Sequence, residues 1–302
     1  MKKIIIALLA LAFSLFANMT PMGPLNAGSG KVTKQGKIRV AFIHQYTSKD
    51  EAYNGNEKIA NTKDRKSTSK VTKLKLKYGL LDNLSIKMVV PYMDKKSRSN
   101  TDSYNNSGLG DMLLKTNYQI LSQKKGAPVF WSFSLGLKLD TAQTNKSFDT
   151  SKGVQVLPRM QLGTGSTDYY IESGITKFFD ISRIDGYVSY IKTTKGANNY
   201  EYGDTKKLDL SYAYAISKPL GFQAVLTYLE KSKHKENNQE LNYTGGTQIY
   251  ITPAITYKIN KKYDISAGYT KFLKVNMNYD NSKKIGELVA NDAFVLKFGM
   301  NF

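Results

Sequence analysis

Lys73, Lys75 and Lys77 stand two residues apart, with Leu74, Leu76 and Tyr78 interleaved. Side chains two apart in an extended chain share a face, so the ammonium groups line one side at intervals of about 7 Å. Charges this close lie within a Debye length of roughly 8–10 Å and act together on a passing ion. The same alternation carries Lys87, Lys115, Lys138, Lys207, Lys258 and Lys297 to the polar faces of other segments. Asp111, Asp140, Asp168, Glu172, Asp185, Asp209 and Asp264 fall on those faces too, and Arg159 adds a cation between them. A fixed-charge lane of this kind favours anions. The plainer alternative is that these groups solvate a wet interior and pair across strands.

Bond-making chemistry finds little support. The chain has no cysteine and two histidines. His44 lies near the end of an apolar alternating segment and His234 in a lysine-rich loop, where a solvated surface role is expected of both. Neither has a serine or aspartate at a diagnostic spacing, so no nucleophile–base pair is legible. There is no His-x-x-x-His pair and no acidic calcium loop, and the glycine-rich pieces lack the Lys-Ser/Thr of a P-loop. No enzyme activity, metal or cofactor is expected.

The elements that must position the lysines are strands. The last dozen residues alternate strictly, with Phe294, Leu296, Phe298, Met300 and Phe302 on one face and Val295, Lys297, Gly299 and Asn301 on the other. This is the expected barrel-closing strand, since one face is apolar and successive side chains point to opposite sides. At the other end Met1–Ala17 reads as a secretory signal peptide: two lysines, a short apolar run and a small residue at the cut. Residues 18–35 form an aperiodic lead-in, expected in the periplasm, and residues 36–302 the domain proper.

Alternating segments are expected at 36–47, 70–79, 84–93, 110–121, 128–140, 168–179, 184–193, 206–217, 220–231, 247–259, 263–275 and 290–302. Their connections alternate between tight and long, the pattern of a membrane barrel with short periplasmic turns and long outer loops. The stretch Val154–Leu162 reads as a strand in isolation. Pro158 argues against a paired position, and counting the stretch would make the total odd. It is therefore assigned to a long loop, folded inward or standing above the rim. The expected fold is all-β, a transmembrane antiparallel barrel of about 12 strands with both termini periplasmic. A soluble β-sandwich is the alternative, but it does not account for the export signal, the terminal Phe and the loop alternation together.

Twenty-one tyrosines suit the two aromatic belts of such a barrel. Tyr46, Tyr92, Tyr190, Tyr228 and Phe272 lie towards the long loops, and Tyr78, Tyr118, Phe178, Tyr257, Tyr263 and Phe302 towards the tight turns. The net charge of +20 falls to about +18 once Lys2 and Lys3 leave with the signal peptide. In an exported protein this balance points to anionic lipopolysaccharide and anionic solutes rather than nucleic acid. The loop cations Lys58, Lys63, Arg65, Lys66, Lys233, Lys235, Lys283 and Lys284 suit lipopolysaccharide phosphates. The expected partners are thus the lipid bilayer and lipopolysaccharide of a Gram-negative outer membrane, its assembly machinery and a small-molecule solute.

Two glycine-rich pieces, Ser107-Gly108-Leu109-Gly110-Asp111-Met112 and Gly163-Thr164-Gly165-Ser166-Thr167-Asp168-Tyr169, stand where long loops meet strands. With the terminal Phe, they resemble the outer-membrane proteins of the meta-pathway of phenol degradation family. That resemblance implies a transporter or channel for small, often aromatic or apolar compounds, and it carries over no binding residues. The residues themselves allow two functions: a channel or transporter with a narrow, partly basic lumen, or a non-conducting structural or surface-interaction barrel with a plugged interior.

Overall fold

The structure is a computed structural model that describes residues 21–302. The expected signal peptide and the first residues of the lead-in lie outside the described residues. Twelve antiparallel strands, counted among the described residues, form one closed wall. They are β1 (Ile38–Asn54), β2 (Lys66–Leu81), β3 (Leu84–Arg98), β4 (Leu113–Leu121), β5 (Phe130–Lys138) and β6 (Asp168–Phe178), followed by β7 (Ser182–Lys192), β8 (Thr205–Ala215), β9 (Leu220–Lys231), β10 (Gly246–Lys258), β11 (Tyr263–Met277) and β12 (Leu288–Asn301). Each pairs with its neighbour in sequence, and β1 closes the sheet by pairing with both β2 and β12. At the seam Phe302 N–H donates to the Ile38 carbonyl at 2.8 Å and the reverse bond is 3.2 Å. Closure leaves no unpaired edge, which a wall in hydrocarbon requires.

The alternation that predicted the strands sets their sidedness. On β5, Trp131, Phe133, Leu135 and Leu137 face out, while Phe130, Ser132, Ser134 and Gly136 face in. On β12, Phe294, Leu296 and Phe298 face out, with Phe302 exposed just past the strand, while Val295 and Lys297 are buried inside. Several strands run further than alternation indicated. β1 continues seven residues beyond Thr47 to Asn54, through a bulge near Lys49 where it pairs with β12. There the wall rises past the apolar band and the outward face no longer needs to be apolar, so the period-2 signal fades although the pairing persists.

The tight connections (82–83, 122–129, 179–181, 216–219 and 259–262) gather at one end of the barrel. The long ones (55–65, 99–112, 139–167, 193–204, 232–245 and 278–287) gather at the other. Residues 154–162 are not wall. Ser147–Thr150 and Gly153–Val156 make a small projecting hairpin, and Pro158–Met160 a 3-10 turn. Both readings of this loop hold for different parts of it: Val154 stands 70% exposed, whereas Met160, Gln161 and Leu162 are buried.

Two expectations are corrected. Phe178 and Phe272 are not belt residues. Phe178 shares the inward phase of Gly174 and Thr176, and Phe272 shares that of Ser266 and Thr270, just before the bulge between β10 and β11, packing near Val275, Met277 and Val289. The lead-in does not lie outside the barrel either. Residues 21–35 run inside the wall, where Leu25 packs with Ala41, Ile43, Ala254 and Val295 from three different strands.

Leu135, at the middle of β5, is 52% exposed on the outer face. Leu135→Arg should therefore lower stability in lipid vesicles by about 2–4 kcal/mol, read from denaturant unfolding. Unchanged stability would mean that this face does not meet lipid.

Candidate functional site

The lumen is occupied at both ends and basic along one side. From the tight-turn end, the lead-in enters through contacts that only glycine permits. A Cβ on Gly79 would stand 1.8 Å from the Lys34 carbonyl, and one on Gly30 would stand 2.4 Å from that of Phe130. The segment is tied by few bonds. Gly30 N–H donates to Thr176 Oγ1 at 2.9 Å, Ser132 Oγ to the Ser29 carbonyl at 3.3 Å, and Lys207 Nζ to the Asn26 carbonyl at 3.3 Å. Thr176 in turn donates to Asp185, which holds Arg183 through its Nε at 2.8 Å.

At the long-loop end the two glycine-rich pieces meet. Leu162 packs on Gly108 and Gly110, and Gly163 sits against the Asp111 carboxylate. Asp111 accepts from the backbone N–H of Thr141, Ala142 and Thr164. Lys138 binds Asp111 at 3.3 Å and Asp168 at 2.8 Å, and donates to Thr164 and Ser166. Asn106 Nδ2 donates to the Met160 carbonyl, and Lys95 to that of Gln161. A buried ionic network thus folds the second half of the 139–167 loop into the mouth.

All nine predicted lysines lie on inward positions of the wall, and the structure divides them. Lys115 pairs with Glu172, Lys138 with Asp111 and Asp168, and Lys207 with Asp209 at 2.8 Å. Lys73, Lys75, Lys77, Lys87 and Lys297 make no ion pair or hydrogen bond with any described residue. In register, Lys77 stands opposite Lys87 on β3 and Arg39 on β1, and Lys297 stands opposite Ile43. Like charges directly opposite repel. The predicted inward acids pair elsewhere: Asp185 and Asp264 are engaged by Arg183 and Arg39, and Asp140 is exposed beyond its strand. Arg39 and Arg183, absent from the expected set, complete the basic side. The signal was present in both cases, since Arg39 and Arg183 occupy the inward phase of their strands. Arg159 stands apart, exposed on the loop.

His44 is exposed on the outer face, its Nδ1 2.9 Å from Thr72 Oγ1. His234 is buried, contrary to the surface role expected. It packs between Tyr200 and Tyr202, with the Tyr200 hydroxyl 2.7 Å from its Nδ1. Burial pushes this imidazole below its ordinary value, against the pull of the nearby Glu287 carboxylate. The loop cations are partly spoken for: Lys58 pairs with Glu51, and Arg65 donates to the Gly286 carbonyl.

A family model described as "Putative MetA-pathway of phenol degradation" matches residues 52–278. No curated protein matches the chain in sequence. Among solved structures, an outer membrane channel from Pseudomonas putida F1 superposes with a TM-score of 0.71 at 16% identity, covering 92% of this chain and all of that one. The β-domain of the Bordetella autotransporter BrkA gives 0.51 at 9% identity, over 89% of this chain and all of that one. The translocator domain of the autotransporter NalP from Neisseria meningitidis gives 0.50 at 9%, over 89% and 90%. At these identities the likeness is one of fold.

Lys138→Met would leave Asp111 and Asp168 buried without their shared cation. Breaking a buried pair costs about 3–5 kcal/mol. The 139–167 loop should become cleavable by added protease while the heat-modifiable barrel band in SDS persists. A loop as resistant as in the parent would remove Lys138 as its anchor.

Proposed function

The chain belongs to the MetA-pathway of phenol degradation family, and from this premise we propose that it is an outer-membrane channel for small solutes, with anion preference set by its unpaired inward lysines. The observation that carries the reading is the partition of the lumen. Inside a wall that is apolar outwards, the inward acids are engaged by Lys115, Lys138, Lys207, Arg39 and Arg183, while Lys73, Lys75, Lys77, Lys87 and Lys297 form no ion pair with a described residue. Fixed charge of one sign along a narrow path raises the local concentration of counter-ions. The fold of the Pseudomonas putida channel supports a conducting barrel, and no bond-making step on the solute is proposed.

In this reading the tight-turn end and the C-terminus face the periplasm, and the long loops present Lys58, Lys63, Lys235 and Lys284 to lipopolysaccharide. The terminal strand ending in Phe302 is what the assembly machinery would engage. A non-conducting structural barrel is the second reading, favoured by the lead-in and the 139–167 loop both occupying the lumen.

In a salt gradient across a planar bilayer the reversal potential should have the anion-selective sign. Changing Lys73, Lys75 and Lys77 together to Glu should move it towards cations. A conducting parent whose selectivity survives that change would remove the ladder from the mechanism, and absence of current from the parent would favour the structural barrel. Gly30→Val should displace the lead-in and raise single-channel conductance at least twofold; an unchanged conductance would place the ion path elsewhere.

Orientation is tested with single cysteines, which the parent lacks. Lys235→Cys should react with an impermeant maleimide on whole cells, and Lys218→Cys only after the outer membrane is opened. The reverse order would invert the assignment.

A further inference from the structure

Between the lead-in and the β1–β2–β12 side of the wall lies a cavity of about 330 Å³. Seven of its lining residues are cations, Lys31, Arg39, Lys75, Lys77, Arg183, Lys258 and Lys297, and none is an acid. Arg39 and Arg183 are held in place by carboxylates behind them, with Asp264 at 2.8 Å from Arg39 and Asp185 behind Arg183. Lys75, Lys77 and Lys297 have no partner among the described residues. Ammonium groups brought together on neighbouring strands and left unpaired are costly in a confined space unless an anion joins them.

Most of the rest of the lining is apolar. Leu25, Ala41 and Ile43 belong to one buried cluster, and the Phe178 ring carries Lys31 Nζ and Arg183 Cζ, each 4.9 Å from its centroid. A cavity of a few hundred Å³ that sets a cluster of charged groups beside apolar surface has the size and the two chemistries of a small-ligand site. An inorganic ion would leave that apolar surface unused, and a neutral apolar solute would leave the ammonium cluster uncompensated.

We propose that this cavity is a binding site for a small amphipathic carboxylate, whose carboxylate is met by Lys75, Lys77 and Lys297 and whose apolar body rests on Leu25, Ile43 and Phe178. The lead-in supplies one wall of the site, so the site exists only while residues 21–33 lie in the lumen. The proposal rests on the channel reading for its role as a solute site, and it names the solute's class. Lysines suit this task because their ammonium groups are compact charges on flexible stems, able to converge on a carboxylate from adjacent strands.

The test titrates benzoate, benzyl alcohol and inorganic phosphate into the mature, folded barrel in zwitterionic detergent and follows binding by calorimetry. Benzoate should bind one per chain, at least tenfold more tightly than either of the others, and weaken as salt is raised. The pair of changes Lys75→Gln and Lys77→Gln should weaken benzoate at least tenfold. Lys297→Gln alone should weaken it severalfold, which guards against a double variant that does not fold; folding of each is read from heat-modifiable migration in SDS. Benzyl alcohol binding as tightly as benzoate would show that charge plays no part and overturn the proposal. Phosphate binding as tightly would reduce the site to a charge cluster and overturn it too, as would folded Gln variants that bind like the parent. Conductance measured in parallel separates the two readings. A barrel that conducts but does not bind benzoate sinks the site and leaves the channel; one that binds at these lysines but carries no current keeps the site and sinks the channel.

Discussion

A sheet closed on itself in lipid has one face for hydrocarbon and one for everything else. Each charged side chain of the twelve strands within the membrane band has only the lumen to enter, because an outward charge at mid-depth costs about 2–4 kcal/mol. That constraint produces the outward row of Trp131, Phe133, Leu135 and Leu137 and the inward rows of lysine, aspartate, serine and threonine. It also crowds ionisable groups into a small space and forces a choice between pairing them and leaving them to bind something else. Both outcomes occur here. Strands β4 to β8 carry the pairs Lys115–Glu172, Lys138–Asp168, Arg183–Asp185 and Lys207–Asp209, while β2, β3 and β12 carry lysines with no described partner.

The two segments that enter the lumen are held by different physics. The 139–167 loop is fixed by a shared cation, Lys138, and by the Asp111 carboxylate, which accepts three backbone N–H groups. Charge-assisted bonds of this kind are roughly twice as strong as neutral ones. The lead-in is fixed by shape: glycines at 30, 79 and 174 allow backbone to lie on backbone, and of the three hydrogen bonds through side chains that tie its described residues to the wall two are 3.3 Å long. Typical hydrogen bonds contribute about 0.5–1.5 kcal/mol net. The lead-in is therefore the more weakly tied of the two, and it is the one that borders the basic cavity.

The wall was legible in the sequence because a barrel strand must satisfy lipid on one face, and that demand writes a period of two. β9 is found at Leu220–Lys231 as expected, and the closing strand faces outward through Phe294, Leu296 and Phe298. Pro158 and the even-number rule placed residues 154–162 outside the wall, where they are. What escaped detection has no period. The lead-in is aperiodic because it is stabilised by contacts with strands more than a hundred residues away, such as Gly30 with Thr176. His234 looked solvated among lysines, yet Tyr200 and Tyr202 enclose it from another loop. Phe178 and Phe272 were placed by distance along the chain rather than by phase, and phase decides which way a strand residue points.

Alternation also identified the inward lysines without revealing which were paired, since pairing depends on registers that one strand does not encode. The structure resolves this into a lumen polarised across its width. Acids sit on β6, β7, β8 and β11 at Asp168, Glu172, Asp185, Asp209 and Asp264, each beside a cation. The unpaired ammonium groups gather on and beside the seam where β1 meets β2 and β12, with Ala41 opposite Lys75 and Ile43 opposite Lys297. A neutralised side opposite a basic side gives a transverse field that orients a dipolar or amphipathic solute as well as attracting charge. Gly299 matters for this because a Cβ there would stand 2.6 Å from the Asp264 carboxylate and 2.8 Å from the Arg39 guanidinium, so glycine leaves room for the pair that holds Arg39. The basic side is thus a consequence of register as much as of composition: Arg39, Lys77 and Lys87 face one another only because β1, β2 and β3 pair in this alignment.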